Sequence, residues 1–373
     1  MDIGMDECIA PSPHLEAASS AKEPASAAPQ ASGRVRKPGP ARSVGRRSAS
    51  ASYAALDLGT NNCRLLIARP AEAGFVVIDA FSRVVRLGEG LAASGRLSDA
   101  AMDRALGALS ICADKLRRRN VELARSVATE ACRRASNGQD FIDRVRDETG
   151  IRLDVISAEE EARLAVLGCH VLLEPGEGPA LIFDIGGGST ELVLVEQDGT
   201  VPRILDWESA PWGVVSLTES ERATTDSVEA RLAAYEAMKR RVADSFAAFI
   251  GRLPAPGQAP RLLGTSGTVT TLASLHLNLR SYDRAAIDGL IVPAESMRRI
   301  STDLSAKSVE ERAAVACIGR DRADLVVAGC AILEAILDIW PAERLGVADR
   351  GIREGILRTL IARDLPSHWR RGY

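Results

Sequence analysis

The strongest constraint on this chain is an internal duplication. ALDLGTNNCRLLIA (55–68) matches IFDIGGGSTELVLV (182–195): each has an Asp, an aliphatic residue, Gly, a polar turn and then an aliphatic strand. SVATEA (126–131) matches LLGTSG (262–267), and DVISAEEEARL (154–164) matches GVADRGIREGI (346–356). Three stations in one order read as two copies of a βββαβαβα unit. Two such α/β units facing each other enclose one central cleft.

Local patterns agree with that reading. Tyr53–Pro70 reads as strand, tight Gly/Asn turn, strand, and 75–87 as a third strand. Ser98–Arg118 has a helical apolar period with Ser98 placed to cap it. Short strands are expected at 124–129 and 152–157, with helices at Gln139–Thr149 and Ala158–Leu173. The second copy runs through strands at 180–210, a helix Val228–Ile250, a strand at 259–265, helices through Trp340, a strand at 344–349 and a last helix Gly351–Arg363. The break between copies falls near Glu174–Gly178, giving units 53–174 and 175–373. Residues 1–52 are rich in Ala, Ser and Pro and basic toward their end, a composition that predicts a disordered extension.

Composition removes several classes of function. With 47 Lys+Arg against 50 Asp+Glu and 4% aromatics, the chain is neither a generally basic nucleic-acid binder nor a base-stacking platform. Seven scattered Cys without a CxxC pair fit a reducing cytosol, not a disulfide framework or zinc module. Four His, two of them near the termini (His14, His368), rule out a multi-His metal centre. The acidic start lacks an apolar leader, and no apolar run is long enough to span a bilayer. A cytoplasmic protein without membrane or specific nucleic-acid partners is expected, as a homodimer.

The chemistry concentrates at the matched turns. Gly59, Thr60, Asn61 and Asn62 follow Asp57; Gly186, Gly187, Gly188, Ser189 and Thr190 follow Asp184. Glycines admit close backbone approach, and consecutive turn amides form an anion nest. Each Asp stands at a strand end, where it can hold Mg²⁺ or a water on a phosphate. Gly264, Ser266 and Gly267 form a third phosphate-type turn opening a helix. No Gly-Lys-Ser/Thr follows any turn, so none is a Walker loop. Glu130 follows the strand at 124–129, and Glu159, Glu160 and Glu161 open the next helix. A carboxylate beside Mg²⁺ can take the proton of an attacking water, and with His scarce a Glu is the best candidate base. Arg83 and Arg86 precede a Gly-containing loop, where they guide a polyanion or merely face solvent. Arg320, Arg322 and Asp324 read as capping and solvated charges.

These segments, with FSRVVRLGEGL, PWGVVSLTE, RADLVVAGCAIL and GIREGIL, resemble the exopolyphosphatase / guanosine pentaphosphate phosphohydrolase family over about 53–363. The resemblance implies a duplicated actin-like, ribonuclease H-like fold. It implies Mg²⁺-dependent removal of the terminal phosphate from inorganic polyphosphate, or of the 5′-terminal phosphate from pppGpp. By motif position it makes Glu130 and Glu159 the catalytic glutamates, with Glu161 the alternative. Asp57 and Asp184 become metal- and phosphate-site acids, and Thr60–Asn62 and Gly186–Thr190 phosphate loops. Two departures stand out: Asn62 replaces a common second Ser, and the chain stops where longer members carry further helical domains. A small-molecule kinase and a non-enzymatic actin-like filament are the rivals on the same fold.

Overall fold

The computed structural model describes residues 51–364, apart from 73, 198, 200, 222, 224, 256 and 258. The extension expected over 1–52, its basic stretch, Cys8, His14 and His368 therefore lie outside the described residues, with two exceptions. Ala51 and Ser52 are buried, and the Ser52 carbonyl accepts the Glu122 amide at 2.9 Å.

The first lobe runs β1 (Tyr53–Leu58), β2 (Asn62–Ala71), β3 (Gly74–Val84), α1 (Leu91–Ser94), α2 (Asp99–Arg118), β4 (Leu123–Ala128), α3 (Glu130–Arg134), α4 (Gly138–Thr149), β5 (Leu153–Val155) and α5 (Ala158–Cys169). The second runs β6 (Pro179–Ile185), β7 (Thr190–Glu196), β8 (Arg203–Ala210), α6 (Val214–Ser220), α7 (Val228–Ser245), α8 (Ala247–Ile250), β9 (Arg261–Thr265) and α9 (Gly267–His276). It continues through α10 (Arg284–Ile287), β10 (Ile291–Pro293), α11 (Ala294–Ala306), α12 (Val309–Ala313), α13 (Val326–Ile339), β11 (Arg344–Ala348) and α14 (Ile352–Asp364).

The sheets repeat one order, β3-β2-β1-β4-β5 and β8-β7-β6-β9-β11, with β10 added antiparallel at the edge of the second. In each, the first three strands are antiparallel hairpins and the next two are parallel crossovers. The duplication is thus a structural fact. Strand β10 was not foreseen: it has three residues, too few for a period to show. The helix expected over Val228–Ile250 breaks at Phe246, where the chain turns and α8 begins.

Two helices form the layer between the sheets. Helix α5 places Ala162, Val166 and Cys169 against Ile182, Val193 and Val195 of the second sheet. Helix α14, from the far end of the chain, packs Ile356, Leu357 and Ile361 against Tyr53, Ala55 and Leu66 of the first. Each sheet is thus covered in part by a helix from the other copy. The helices cross at glycines: a Cβ on Gly168 would lie 1.9 Å from the Gly351 carbonyl oxygen, and one on Gly355 2.1 Å from that of Leu164. Among the described residues, no helix is long and apolar enough to cross a membrane.

Candidate active site

The turns after β1 and β6 meet across the cleft. A Cβ on Gly187 would stand 2.9 Å from the Asn61 amide nitrogen, and one on Gly188 2.6 Å from Thr60 Oγ1. Both lobes shape their turn by the same device. The Gly186 and Gly187 carbonyls accept the Val214 and Val215 amides at 3.0 and 2.8 Å. The Asn61 carbonyl accepts Val85 and Arg86, and that of Thr60 accepts Gly88. A trans peptide points its N–H opposite its C=O. Drawing these carbonyls outward therefore turns the Asn61, Gly187 and Gly188 amides to the other side, where all three residues line the cleft. Close approach explains Gly88 and Gly213, whose added Cβ would lie 2.2 Å from Thr60 Cγ2 and 2.4 Å from the Gly187 carbonyl carbon.

The cleft encloses about 130 Å³. Asp57, Gly59, Thr60, Asn61, Asn62, Glu130 and Glu161 line it from the first lobe; Asp184, Gly186–Ser189, Ser266 and Gly267 line it from the second. Ser266 Oγ caps α9 by accepting the Val269 amide at 3.0 Å. Five predicted residues are elsewhere. Glu159 is exposed on the outer side of α5, and Glu161 has the cleft position instead. Thr190 is buried behind its turn, its hydroxyl donating to the Trp212 carbonyl at 2.7 Å. Gly264 packs on Phe183, whose ring would lie 2.3 Å from an added Cβ. Arg83 is exposed and sits over the Phe81 ring. Arg86 is tied down: it forms a bidentate pair with Asp324 at 2.8 and 3.0 Å, bridging the lobes at the rim.

Sequence reading missed several groups. Arg64 reaches the cleft from β2 and makes no hydrogen bond or ion pair among the described residues. Burial pushes its pKa down, while Asp57 and Asp184 pull it up. Arg322, read as a capping or solvated charge, lines the cleft and donates to Thr271 Oγ1 at 3.3 Å. Arg133 joins the two cleft glutamates, at 2.5 Å to Glu130 and 3.2 Å to Glu161, and donates to the Ile156 carbonyl. Glu191 is buried just behind the site and accepts from Ser209 at 2.8 Å.

Burial dominates the titration of the acids. It pushes Asp184 up to about 8, with Glu191 adding to the rise and Arg64 opposing it. It raises Asp57 against the pull of Arg64 and Arg353. It lifts Glu161 well above the carboxylate range, helped by Glu191 and opposed by Arg133. Glu191 is pushed up to about 7, with hydrogen bonds from Ser189 and Ser209 restraining the rise.

Three buried oxygens in the cleft lack a partner among the described residues: Asp57 Oδ1, Thr60 Oγ1 and Asn61 Oδ1. Such atoms are costly to bury unsatisfied, and hard oxygen donors of this kind suit Mg²⁺. No group of three or more His, Cys, Asp or Glu gathers to hold a metal among the described residues. The donor set fits a cation held by one or two carboxylates plus substrate phosphate, the usual mode for Mg²⁺.

Over residues 66–364 the sequence matches the model of the Ppx/GppA phosphatase family. It is 32% identical over 324 residues to Exopolyphosphatase 2 of Mycobacterium tuberculosis, across 82% of this chain and 98% of that protein. It is 28% identical to the guanosine-5'-triphosphate,3'-diphosphate pyrophosphatase of Aeromonas hydrophila, across 84% of this chain and 60% of that longer protein. Similar solved structures include the Aquifex aeolicus Ppx/GppA family member, with a TM-score of 0.68, 29% identity and coverage of 85% of this chain and 99% of that one. An exopolyphosphatase from Cytophaga hutchinsonii matches with a TM-score of 0.71, 26% identity and coverage of 83% and 97%.

Proposed function

Because this chain belongs to the Ppx/GppA phosphatase family of phosphoanhydride hydrolases, built on two actin-like halves, we propose that it releases terminal orthophosphate from inorganic polyphosphate. The observation that carries this reading is the meeting of two anion-binding turns above a buried carboxylate, with the Arg64 side chain free of hydrogen bonds and ion pairs among the described residues. The amides of Asn61, Gly187 and Gly188 bind the oxygens of the terminal phosphate. Arg64 and Arg322 neutralise the adjoining phosphates.

Glu161 is the base that takes the proton from the attacking water. Its Oε2 is engaged by Arg133, while Oε1 has no protein partner among the described residues. Glu130 is more occupied, with Arg133 on Oε2 and Arg134 at 3.7 Å from Oε1, so it orients Arg133 and thereby Glu161. Arg133, which opposes the rise of the Glu161 pKa, favours the ionised form that accepts the proton. Mg²⁺, when bound at Asp57 and Asp184, supplies positive charge to the phosphate oxygens. Positioning and electrostatics carry most of the rate in such a reaction.

The second reading is hydrolysis of the 5′-terminal phosphate of pppGpp, favoured by the likeness to the Aeromonas pyrophosphatase. Orthophosphate release with Mg²⁺ from short polyphosphate, long polyphosphate and pppGpp, measured side by side, separates the two. Release from none of them rejects both.

A further inference from the structure

Arg322 reaches the cleft from a turn, not from a strand or helix. The residue is exposed, and among the described residues its side chain makes one hydrogen bond, to Thr271 Oγ1 at 3.3 Å. Arg64 lies close enough for the two like charges to repel. A long cationic side chain in that position keeps its place only if the backbone beneath it is fixed.

Two arginines fix that turn. From within the second lobe, buried Arg312 donates to the Ala323 carbonyl at 2.7 Å. From the first lobe, Arg86 brackets Arg322 on both sides. Its Nη1 and Nη2 bind Asp324 Oδ2 and Oδ1 at 2.8 and 3.0 Å, and Nη2 also donates to the Asp321 carbonyl at 3.2 Å. Such a fork fixes direction as well as distance. The backbone of Arg86 has a separate task. Its amide donates to the Asn61 carbonyl at 3.0 Å, beside that of Val85, and so helps turn the Asn61 amide toward the cleft. Arg104 steadies this corner by donating to the Val85 and Arg86 carbonyls at 2.9 and 3.2 Å. Arg86 makes these contacts from a left-handed backbone, φ 47°, which few residues other than glycine and asparagine adopt. Strain of this kind persists only where the surroundings impose it, and it gathers at functional sites.

Given the terminal-phosphate hydrolysis proposed above, on which this inference rests, we propose that Arg86 is a positioning residue. By joining Asn61 of one lobe to the Asp321–Asp324 turn of the other, it sets the span between the amide that takes the terminal phosphate and the Arg322 guanidinium that takes an adjoining one. Its own guanidinium is committed to Asp324, so it acts through Arg322 and not on the substrate. Stability alone does not account for the pair. Its side chains are 30% and 34% exposed, and ion pairs at that level of exposure contribute little.

The test is a double-mutant cycle on the full-length protein. Arg86→Gln and Asp324→Asn each break the pair; Asp324→Asn does so without changing shape. Both are made in wild type and in an Arg322→Gln background. Orthophosphate release from polyphosphate with Mg²⁺ gives KM and kcat, and melting temperature is measured alongside. In wild type each substitution should raise KM about tenfold and leave kcat within about twofold, the mark of lost binding and not of lost chemistry. In the Arg322→Gln background each should raise KM by less than about twofold more, because the group being positioned is already gone. A KM rise as large in that background as in wild type overturns the inference, since the pair then acts on something else. So does a fall in melting temperature and kcat together with KM unmoved, the signature of a merely structural pair. An unchanged KM in both pair-breaking variants, or in Arg322→Gln itself, overturns it as well. These results leave an active hydrolase and remove Arg86 alone. If wild type frees orthophosphate from neither polyphosphate nor pppGpp, the hydrolase reading fails and the positioning role falls with it.

Discussion

Asp57 on β1 lies directly across the strand pair from Arg64 on β2, at the foot of the first anion-binding turn. The second lobe repeats the register with Asp184 opposite Glu191. The same station thus carries an acid and a base in one lobe and two acids in the other. Arg64, unpaired among the described residues, is the counter-charge to both aspartates; under the proposed function it also receives phosphate. Arg64→Met keeps much of the bulk and removes the charge. It should weaken substrate binding about tenfold to a hundredfold, the range for a charged hydrogen bond. The KM for orthophosphate release checks this; an unchanged value removes Arg64 from the binding site.

Glu161→Gln should lower turnover by about two to four decades while leaving the fold intact, the usual size of base catalysis. Glu159→Gln should stay within about twofold of wild type, because an exposed surface carboxylate contributes little. The pair of variants is the informative measurement. Equal losses in both, or a loss in Glu159→Gln alone, would place the base elsewhere. Glu130→Gln should fall between them, and its deficit should shrink in a Glu161→Gln background if the two act through Arg133.

Stability should decline as pH rises through neutrality when no divalent cation is present. Asp184 moves from 3.8 to about 8 and Glu191 from 4.5 to about 7 on folding. The folded protein thus holds protons that the unfolded chain has already lost. This stabilisation is complete below pH ~4 and is lost as pH rises through the folded values. Asp79, Glu160 and Asp206 are shifted the other way, so they titrate below this window. Melting temperature in EDTA should drop by roughly 5 °C or more between pH 6 and 8.5, given several kcal/mol of linkage and the size of the chain. A flat or rising profile over that interval would show that these acids ionise freely in the fold.

The duplication was legible because it is written in local spacing, and spacing survives without knowledge of packing. Asp57 to Arg64 and Asp184 to Glu191 are equal intervals across equal turns, so hairpin register alone would have placed Arg64 and Glu191 beside the acids. The choice between Glu159 and Glu161 turned on helix phase. Glu161 shares the inward stripe of Leu164, Ala165 and Gly168, whereas Glu159 sits one turn before exposed Arg163. Thr190 and Gly264 misled because hydroxyls and glycines serve packing as readily as phosphate, and only the neighbours Trp212 and Phe183 decide which. Arg322 lies far from every other site residue in sequence and enters the cleft through the loop before α13, so no local pattern could have revealed it.

Gly187→Val tests the central feature of the site. A Cβ at this position would meet the Asn61 amide nitrogen at 2.9 Å and the Thr60 Cβ at 3.0 Å, and Asn61 Cβ follows at 3.1 Å. A β-branched side chain fills the gap between the two turns and forces them apart. The lobes are tied independently at the rim by Arg86 with Asp324, and their helix layer lies well behind the turns. The fold should therefore survive with a modest loss, about 1–3 kcal/mol, the usual cost of overpacking. Phosphate affinity should be lost, with orthophosphate release falling below detection on polyphosphate and pppGpp alike, while circular dichroism stays native. Wild-type affinity in a folded Gly187→Val protein would mean that substrate does not sit between the paired turns.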